Sequence, residues 1–390
     1  MRRRWLTSAG LGAAGLTAAL LAGGCAARDP HLATAADLEP LIRGQGLEPA
    51  DIVVPFAIDE PMAQWARSAV PQVGSAHEKL QGLLRALISS RGLGLTYEAD
   101  LTVSASEAFA RRRANCVSFT NLFVGLSRAL GLPVYFVLVE DVQKFTKEGD
   151  LVVVSDHMTA GYGEAHQRLI LDFTPEQTAE YRSIRELSDL TAIAMFYSNR
   201  GAALLRTGDS TPSIPWLRTA IALDPELAGG WTNLGVALRR TGDLTEAEAA
   251  YRRALEADPA TIPAYQNLAA LLRLRGKERE AMDLLALTNR RDNRNPFNFL
   301  DLGDVSLRHG RLEEAERYYR KALRLGSDGP EPYAALGVLR LAAGDSDQAR
   351  RWLRRAEGRD PQNPRVQQLK RMLRGDEKPP FQITQRRSAD

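Results

Sequence analysis

The chain has 390 residues, 44% of them apolar and 25% charged, which is ordinary for globular protein and long enough for two or three domains with cores of their own. Arg2, Arg3 and Arg4 open the chain, and without that first segment 48 basic side chains face 48 acidic ones. No charge excess then argues for a nucleic-acid partner, and two cysteines exclude a four-cysteine zinc cage.

The sequence opens with MRRRW, a positively charged start, and continues with LTSAGLGAAGLTAALLAGG, a run of leucine and small residues that ends at Cys25. This is the layout of a signal peptide over residues 1–24. The stretch Leu21-Ala22-Gly23-Gly24-Cys25 resembles a bacterial lipobox, with Ala22 where leucine is commoner. The resemblance implies that Cys25 is lipidated and anchors the chain to a membrane. Ala26 in place of aspartate implies, by resemblance to enterobacterial sorting, the outer membrane facing the periplasm. The alternative is an ordinary secretory signal or an uncleaved anchor. With Cys25 taken by lipid, a cage of two cysteines and two histidines is excluded as well. Cys116 is left as a lone thiol in an oxidising compartment, where it must be buried or useful. No cofactor and no metal are expected.

Residues 25–50, rich in Ala and Pro, read as a tether. From 51 to 190, helical and strand signals mix. HEKLQGLLRALISSRG (77–92) sets Leu80, Leu83, Leu84 and Leu87 in a helical stripe. RRRANCVSFTNLF (111–123) heads a second helix with Cys116, and Phe119, Leu122, Phe123, Leu126 and Leu130 follow at helical spacing. PVYFVLVED (133–141), LVVVSDHMTA (151–160) and QRLILDF (167–173) are short β-branched runs between turn residues and read as strands. A helix followed by hairpin-linked strands predicts an α+β domain.

Nucleophilic cysteine chemistry requires a thiolate, a base and a group that orients the base. Of the five histidines, His31 falls in the tether, His77 opens a helix, His166 sits in a polar turn and His309 in a repeat turn. His157 alone follows an apolar strand run, and Asp172 closes the next strand fifteen residues later. A cysteine at a helix N-terminus meets the positive end of the dipole, which favours the thiolate. Arg111, Arg112 and Arg113 either add to that field or form a solvated loop.

The segment NCVSFTNLFVGLSRALGLPVYFVLVE, then LILDF followed by Thr174-Pro175, resembles the transglutaminase-like superfamily, a papain-related α+β fold, over roughly 76–190. The resemblance implies Cys116 as nucleophile, His157 as general base and Asp172 as the residue orienting the imidazole. It implies an enzyme of cysteine peptidase or amidase type that hydrolyses a peptide or isopeptide bond. No glutamine precedes Cys116 as in the papain oxyanion hole. The Cys116 N–H would need a second donor, for which Asn115 and Tyr97 are the candidates. The bland reading is a core cysteine, a strand-end histidine and a turn-capping aspartate. Members of the superfamily can keep the fold without activity, which leaves a non-catalytic envelope scaffold as the alternative.

From 192 on the chain repeats. Tyr197, Trp231, Tyr265, Phe299 and Tyr333 recur every 34 residues, as do Gly208, Gly242, Gly276, Gly310 and Gly344. Ser213, Ala247, Ala281, Ala315 and Ala349 follow each glycine at a fixed distance, and Pro225, Pro259 and Pro361 close three of the units. The period and pattern resemble the tetratricopeptide repeat, five copies over 192–361, with a capping helix to 375 and a disordered tail over 376–390. An all-α superhelix should therefore follow the α+β domain, and the resemblance implies a protein or peptide partner in its groove. Arg206, Arg240 and Arg308 share one repeat position, and Arg239 and Arg273 share the position before it. Facing the groove, they would form a basic stripe for an acidic peptide or a terminal carboxylate. Otherwise they complement helix dipoles and stay solvated.

Overall fold

The structure, a computed structural model, describes residues 32–148, 151–163, 168–171, 183–288, 296–325 and 329–379. Cys25, His31, His166 and Asp172 lie outside the described residues, as does the tail beyond 379.

The first helices are α1 (Ala35–Gly44), α2 (Glu60–Ala69) and α3 (Ala76–Ile88). The tether expectation fails over residues 35–44. Thr34 and Asp37 form a capping box at the start of α1, and Leu38 and Ile42, one turn apart, are each 1% exposed. Two apolar side chains on one face are enough to dock this short helix. The predicted helix over 77–92 is α3, and Leu80, Leu83 and Leu87 are fully buried. A helix that the apolar pattern does not announce, α4 (Ala105–Arg111), starts in the capping box of Ser104 and Glu107. It ends at Arg112, which has φ 55° and is the one described non-glycine residue with positive φ.

Two short parallel strands, β1 (Thr96–Tyr97) and β2 (Arg113–Ala114), lead into α5 (Cys116–Ala129). Every residue of α5 from Val117 to Ser127 is buried, as befits a central helix covered on several sides. α2, α3, α4 and β4 (Leu151–Tyr162) all pack on it. β4 belongs to an antiparallel sheet with β3 (Tyr135–Glu148), β5 (Leu169–Leu171) and β6 (Ile184–Leu187), in the order β5-β4-β3-β6. β6 carries no apolar run, and its partner β3 supplies its pairing. After an irregularity between Val139 and Gln143, β3 and β4 continue as a two-stranded ribbon past the rest of the sheet.

The repeats follow as helix pairs. The first helices are α6 (Asp189–Arg206), α8 (Ala228–Thr241), α10 (Ile262–Leu274), α12 (Pro296–Arg308) and α14 (Glu331–Ala342). Their partners are α7 (Ser210–Leu223), α9 (Leu244–Ala257), α11 (Glu278–Thr288), α13 (Leu312–Arg324) and α15 (Ser346–Glu357), and α16 (Pro364–Arg374) closes the array. The repeat signature now has a physical content. A Cβ on Gly235 would lie 2.4 Å from the Tyr251 ring, and one on Gly303 would lie 2.3 Å from Tyr319. In these two repeats the glycine of the first helix thus seats the aromatic of the second, and in the first repeat Gly201 meets Leu217 in the same way. The signature glycine after each first helix has φ between 71° (Gly310) and 93° (Gly242), the left-handed turn that ends it.

The division at residue 190 is not a break in packing. One core runs from Leu38 through α5 and the sheet to Ala192–Tyr197, Ala220 and Leu223, so the first repeat shares the core of the α+β part. Arg128 near the end of α5 donates to both oxygens of Asp189, at 2.7 and 2.9 Å, and to the Val134 carbonyl at 3.0 Å. Both side chains of that ion pair are almost fully buried, at 7% and 13% exposed. The guanidinium also lies over the rings of Phe56 and Phe136. Among the described residues no helix is long and apolar enough to cross a membrane.

Candidate functional site

Cys116 is the first residue of α5 and is partly exposed, while the ten residues after Val117 run into the core. Asn115 is the N-cap. Its Oδ1 accepts the Ser118 amide at 2.9 Å, and its Nδ2 donates to the Thr102 hydroxyl at 2.7 Å. Oδ1 and one of the two Nδ2 protons of this 5% exposed amide are therefore engaged, and Asn115 is the cap of α5. The amides of Cys116 and Val117 precede any intrahelical acceptor, which leaves them directed out of the helix end. Tyr97, 37% exposed, pairs in register with Ala114, two residues before the thiol.

His157 lies on β4 opposite Val139 and is 9% exposed. Its neighbour Met158 offers its carbonyl to the hydroxyl of Thr120 at 3.1 Å. Thr120 stands one turn after Cys116 on α5, so the cysteine's helix and the histidine's strand pack together there. Along β4, His157 and Thr159 alternate with Met158 and Ala160, and all four are buried. Thr159 donates to the carbonyl of Leu171, the last described residue before Asp172, at 2.6 Å. Asp172 itself lies outside the described residues.

The arginines before Cys116 do not act as a free positive cluster. Arg111 pairs with Glu107 at 3.6 Å and Arg113 with Glu98 at 2.5 Å. Arg112 serves the backbone as the left-handed cap of α4. Among the described residues no group of His, Cys, Asp and Glu is placed to hold a metal ion.

Within the repeats, the expected basic stripe is largely engaged inside the chain. Arg206 pairs with Asp100 at 3.1 Å, Arg240 donates to the Leu205 carbonyl at 2.6 Å, and Arg308 reaches Glu278 at 3.3 Å. At the preceding position the Nη1 atoms of Arg239 and Arg273 are buried. The reason is positional: an arginine in the last turn of a first helix meets the carbonyls and carboxylates of the adjoining unit before it meets the groove. A cavity of about 390 Å³ opens between α12, α14 and α16, lined by Asp304, Arg308, Tyr319, Val338, Arg365 and Lys378. It was not visible in the sequence. Glu377 beside it is bonded to Gln368 and Arg371, so the chain just past α16 is packed rather than loose.

Stacked helix pairs with a shared 34-residue signature define a helical-repeat superhelix. The particular repeat is the tetratricopeptide repeat, whose family profile matches residues 198–261 and 306–373. Arrays of this kind present extended concave surfaces that bind proteins or peptides. No curated protein matches the chain. Among solved structures, one from a functional characterisation of pilF from Pseudomonas aeruginosa is 25% identical. It covers 47% of this chain and 83% of that one, with a TM-score of 0.41. TTC0263, a tetratricopeptide protein of Thermus thermophilus, is 20% identical over 47% of this chain and 97% of that one, with a TM-score of 0.40. YrrB, described as having an unusual peptide-binding site, is 17% identical over 46% of this chain and 92% of its own, with a TM-score of 0.34. Likenesses at this level bear on neither activity nor partner.

Proposed function

We propose that the chain is a cysteine-dependent acyl-transfer enzyme of the bacterial envelope, hydrolysing a peptide or isopeptide bond in a protein brought in by the repeats. Cys116 attacks the amide carbonyl while its thiol proton passes to His157, oriented by Asp172. The amine leaves with that proton, and a water deprotonated by His157 then releases the acyl group from the thioester. The oxyanion formed in each step faces the Cys116 amide at the helix end, with Tyr97 as the second donor.

The observation that carries this reading is the seating of α5 on β4 through Thr120 and Met158, beside Cys116 on one element and His157 on the other. Recruitment through the repeats is supported by a second contact: β4 also touches α8 and α10. A partner held along those helices lies next to the strand that carries the base. Anchoring through a lipid on Cys25, at the outer membrane facing the periplasm, rests on the N-terminal sequence alone.

The test is an electrophilic activity-based thiol probe applied to intact cells. Wild type is expected to label at Cys116, and Cys116→Ser and His157→Ala at less than about a tenth of that level, the loss of a base-assisted nucleophile. The second reading is a non-catalytic scaffold, favoured by the fact that both matched stretches lie in the repeats. It predicts equal labelling of wild type and His157→Ala.

A further inference from the structure

The first repeat does more than begin the array. Two arginines of α6 grip the loop that precedes α4. Arg206 pairs with Asp100, and Arg200 donates through Nη1 to the carbonyl of Thr102 at 2.8 Å. The Arg200 guanidinium is held from behind by the Trp216 ring of α7, 5.0 Å from its centroid. Glu107 lies within electrostatic reach of the same guanidinium. Burial pushes its carboxyl up, but the Ser104 backbone and hydroxyl bonds, with Arg200 and Arg111, outweigh that and hold it below the usual carboxylate range.

From Thr102 the hydrogen bonds lead straight to the thiol's helix. The Thr102 hydroxyl, on a 3% exposed residue, accepts from Asn115 Nδ2, which leaves Asn115 Oδ1 aimed at the Ser118 amide. The Ser118 hydroxyl returns to the same loop. It donates to the Leu101 carbonyl at 3.2 Å and accepts the Val103 amide at 2.7 Å. Residues 101–103 are thus laced to the first turn of α5, and Arg200 fastens the lacing from outside. The cap sets the direction of the first amides of the helix, where charge developing on sulfur or on an oxyanion would be met. Small displacements there have large consequences for reactivity.

We propose that Arg200 is a positioning residue for Cys116: by holding the Thr102 carbonyl it fixes the loop that orients the Asn115 cap, so the first repeat is a structural part of the thiol site. The inference rests on the reading of Cys116 as the nucleophile.

The experiment is the rate of Cys116 alkylation by iodoacetamide against pH, in the full mature chain. Arg200→Met keeps the aliphatic stem against Trp216 and removes the donor. It is expected to raise the midpoint of the profile by about 0.5 pH unit or more, the size of a lost helix-terminus interaction. Arg200→Lys, which still reaches a carbonyl and an aromatic face, is expected to restore most of the shift. Thr102→Val, which deletes the hydroxyl but not the loop, is expected to shift the midpoint in the same direction and keeps the test open should Arg200→Met fold poorly. Arg218→Ala is the control, because its pair with Glu246 is exposed and remote from the cap. Profiles for Arg200→Met and Thr102→Val that superimpose on wild type would overturn the inference, and so would a shift of equal size in Arg218→Ala. A wild-type profile that ignores His157→Ala removes the enzymatic reading instead. A profile that answers to His157→Ala but not to Arg200→Met defeats this inference alone.

Discussion

Arg128→Met is expected to lower stability by about 3–5 kcal/mol, because it leaves the Asp189 carboxylate buried with no cation. The side chain it removes makes two bonds to Asp189, a third to the Val134 carbonyl, and packs over Phe56 and Phe136. Asp189 is also the first residue of α6, where a carboxylate interacts favourably with the helix N-terminus. The pair therefore joins the end of α5, the start of β3 and the first repeat. Hydrogen exchange should report the loss as faster opening of α5 and α6 together, with α12 to α16 little changed. The double variant Arg128→Met/Asp189→Leu should recover more than half of the loss, because an apolar pair of similar volume replaces a buried ion pair at little cost. A loss below about 1 kcal/mol in the single variant would mean that the junction does not depend on this pair.

Asp304→Ala is expected to cost about 3 kcal/mol, confined to the end of the array. Asp304 accepts the Tyr319 hydroxyl at 2.9 Å and pairs with both terminal nitrogens of Arg365, which ties α12, α13 and α16 together. Its loss strands a fully buried phenol and a half-buried guanidinium at once. Burial pushes the Tyr319 phenol well above its ordinary value, with the Asp304 carboxylate adding to the rise. A raised phenol stabilises the fold fully below the unfolded value of about 10, and that contribution is lost as pH climbs through the folded value. Wild type should accordingly lose stability in the C-terminal repeats above pH about 10, and Tyr319→Phe should flatten that dependence. Because each repeat leans on its neighbours, exchange should quicken in α12 to α16 and fade toward α8.

The parts of this fold that were legible in the sequence are those with a period. A 34-residue recurrence of aromatic and glycine fixes ten helices and their pairing, and alternating β-branched runs announce β3, β4 and β5. Short elements were harder. AADLEPLIRG looks like tether because Pro40 interrupts it, yet Leu38 and Ile42 are enough to dock it. The capping box of Ser104 and Glu107 did carry a local signal for α4, in a stretch too short for an apolar stripe. The candidate site was legible in its residue types and order, cysteine at a helix start and histidine on a strand. Its supports were not, since Arg200 and Thr102 stand 98 residues apart and only the fold brings them together. Asn115 illustrates the difference: its position beside the thiol suggests a donor, while its bonds to Thr102 and Ser118, which make it the cap of α5, appear only in the fold.

The central claim is that Cys116 is a nucleophile served by His157. The most direct measurement is the rate of iodoacetamide alkylation of Cys116 against pH, in wild type and His157→Ala. A base-paired thiol keeps reacting well below pH about 8, and His157→Ala should return its midpoint to the ordinary thiol value near about 8.5 and slow the reaction at neutral pH about tenfold or more. A wild-type midpoint already near about 8.5, unmoved by His157→Ala, would contradict the account and leave the chain a scaffold built on its repeats.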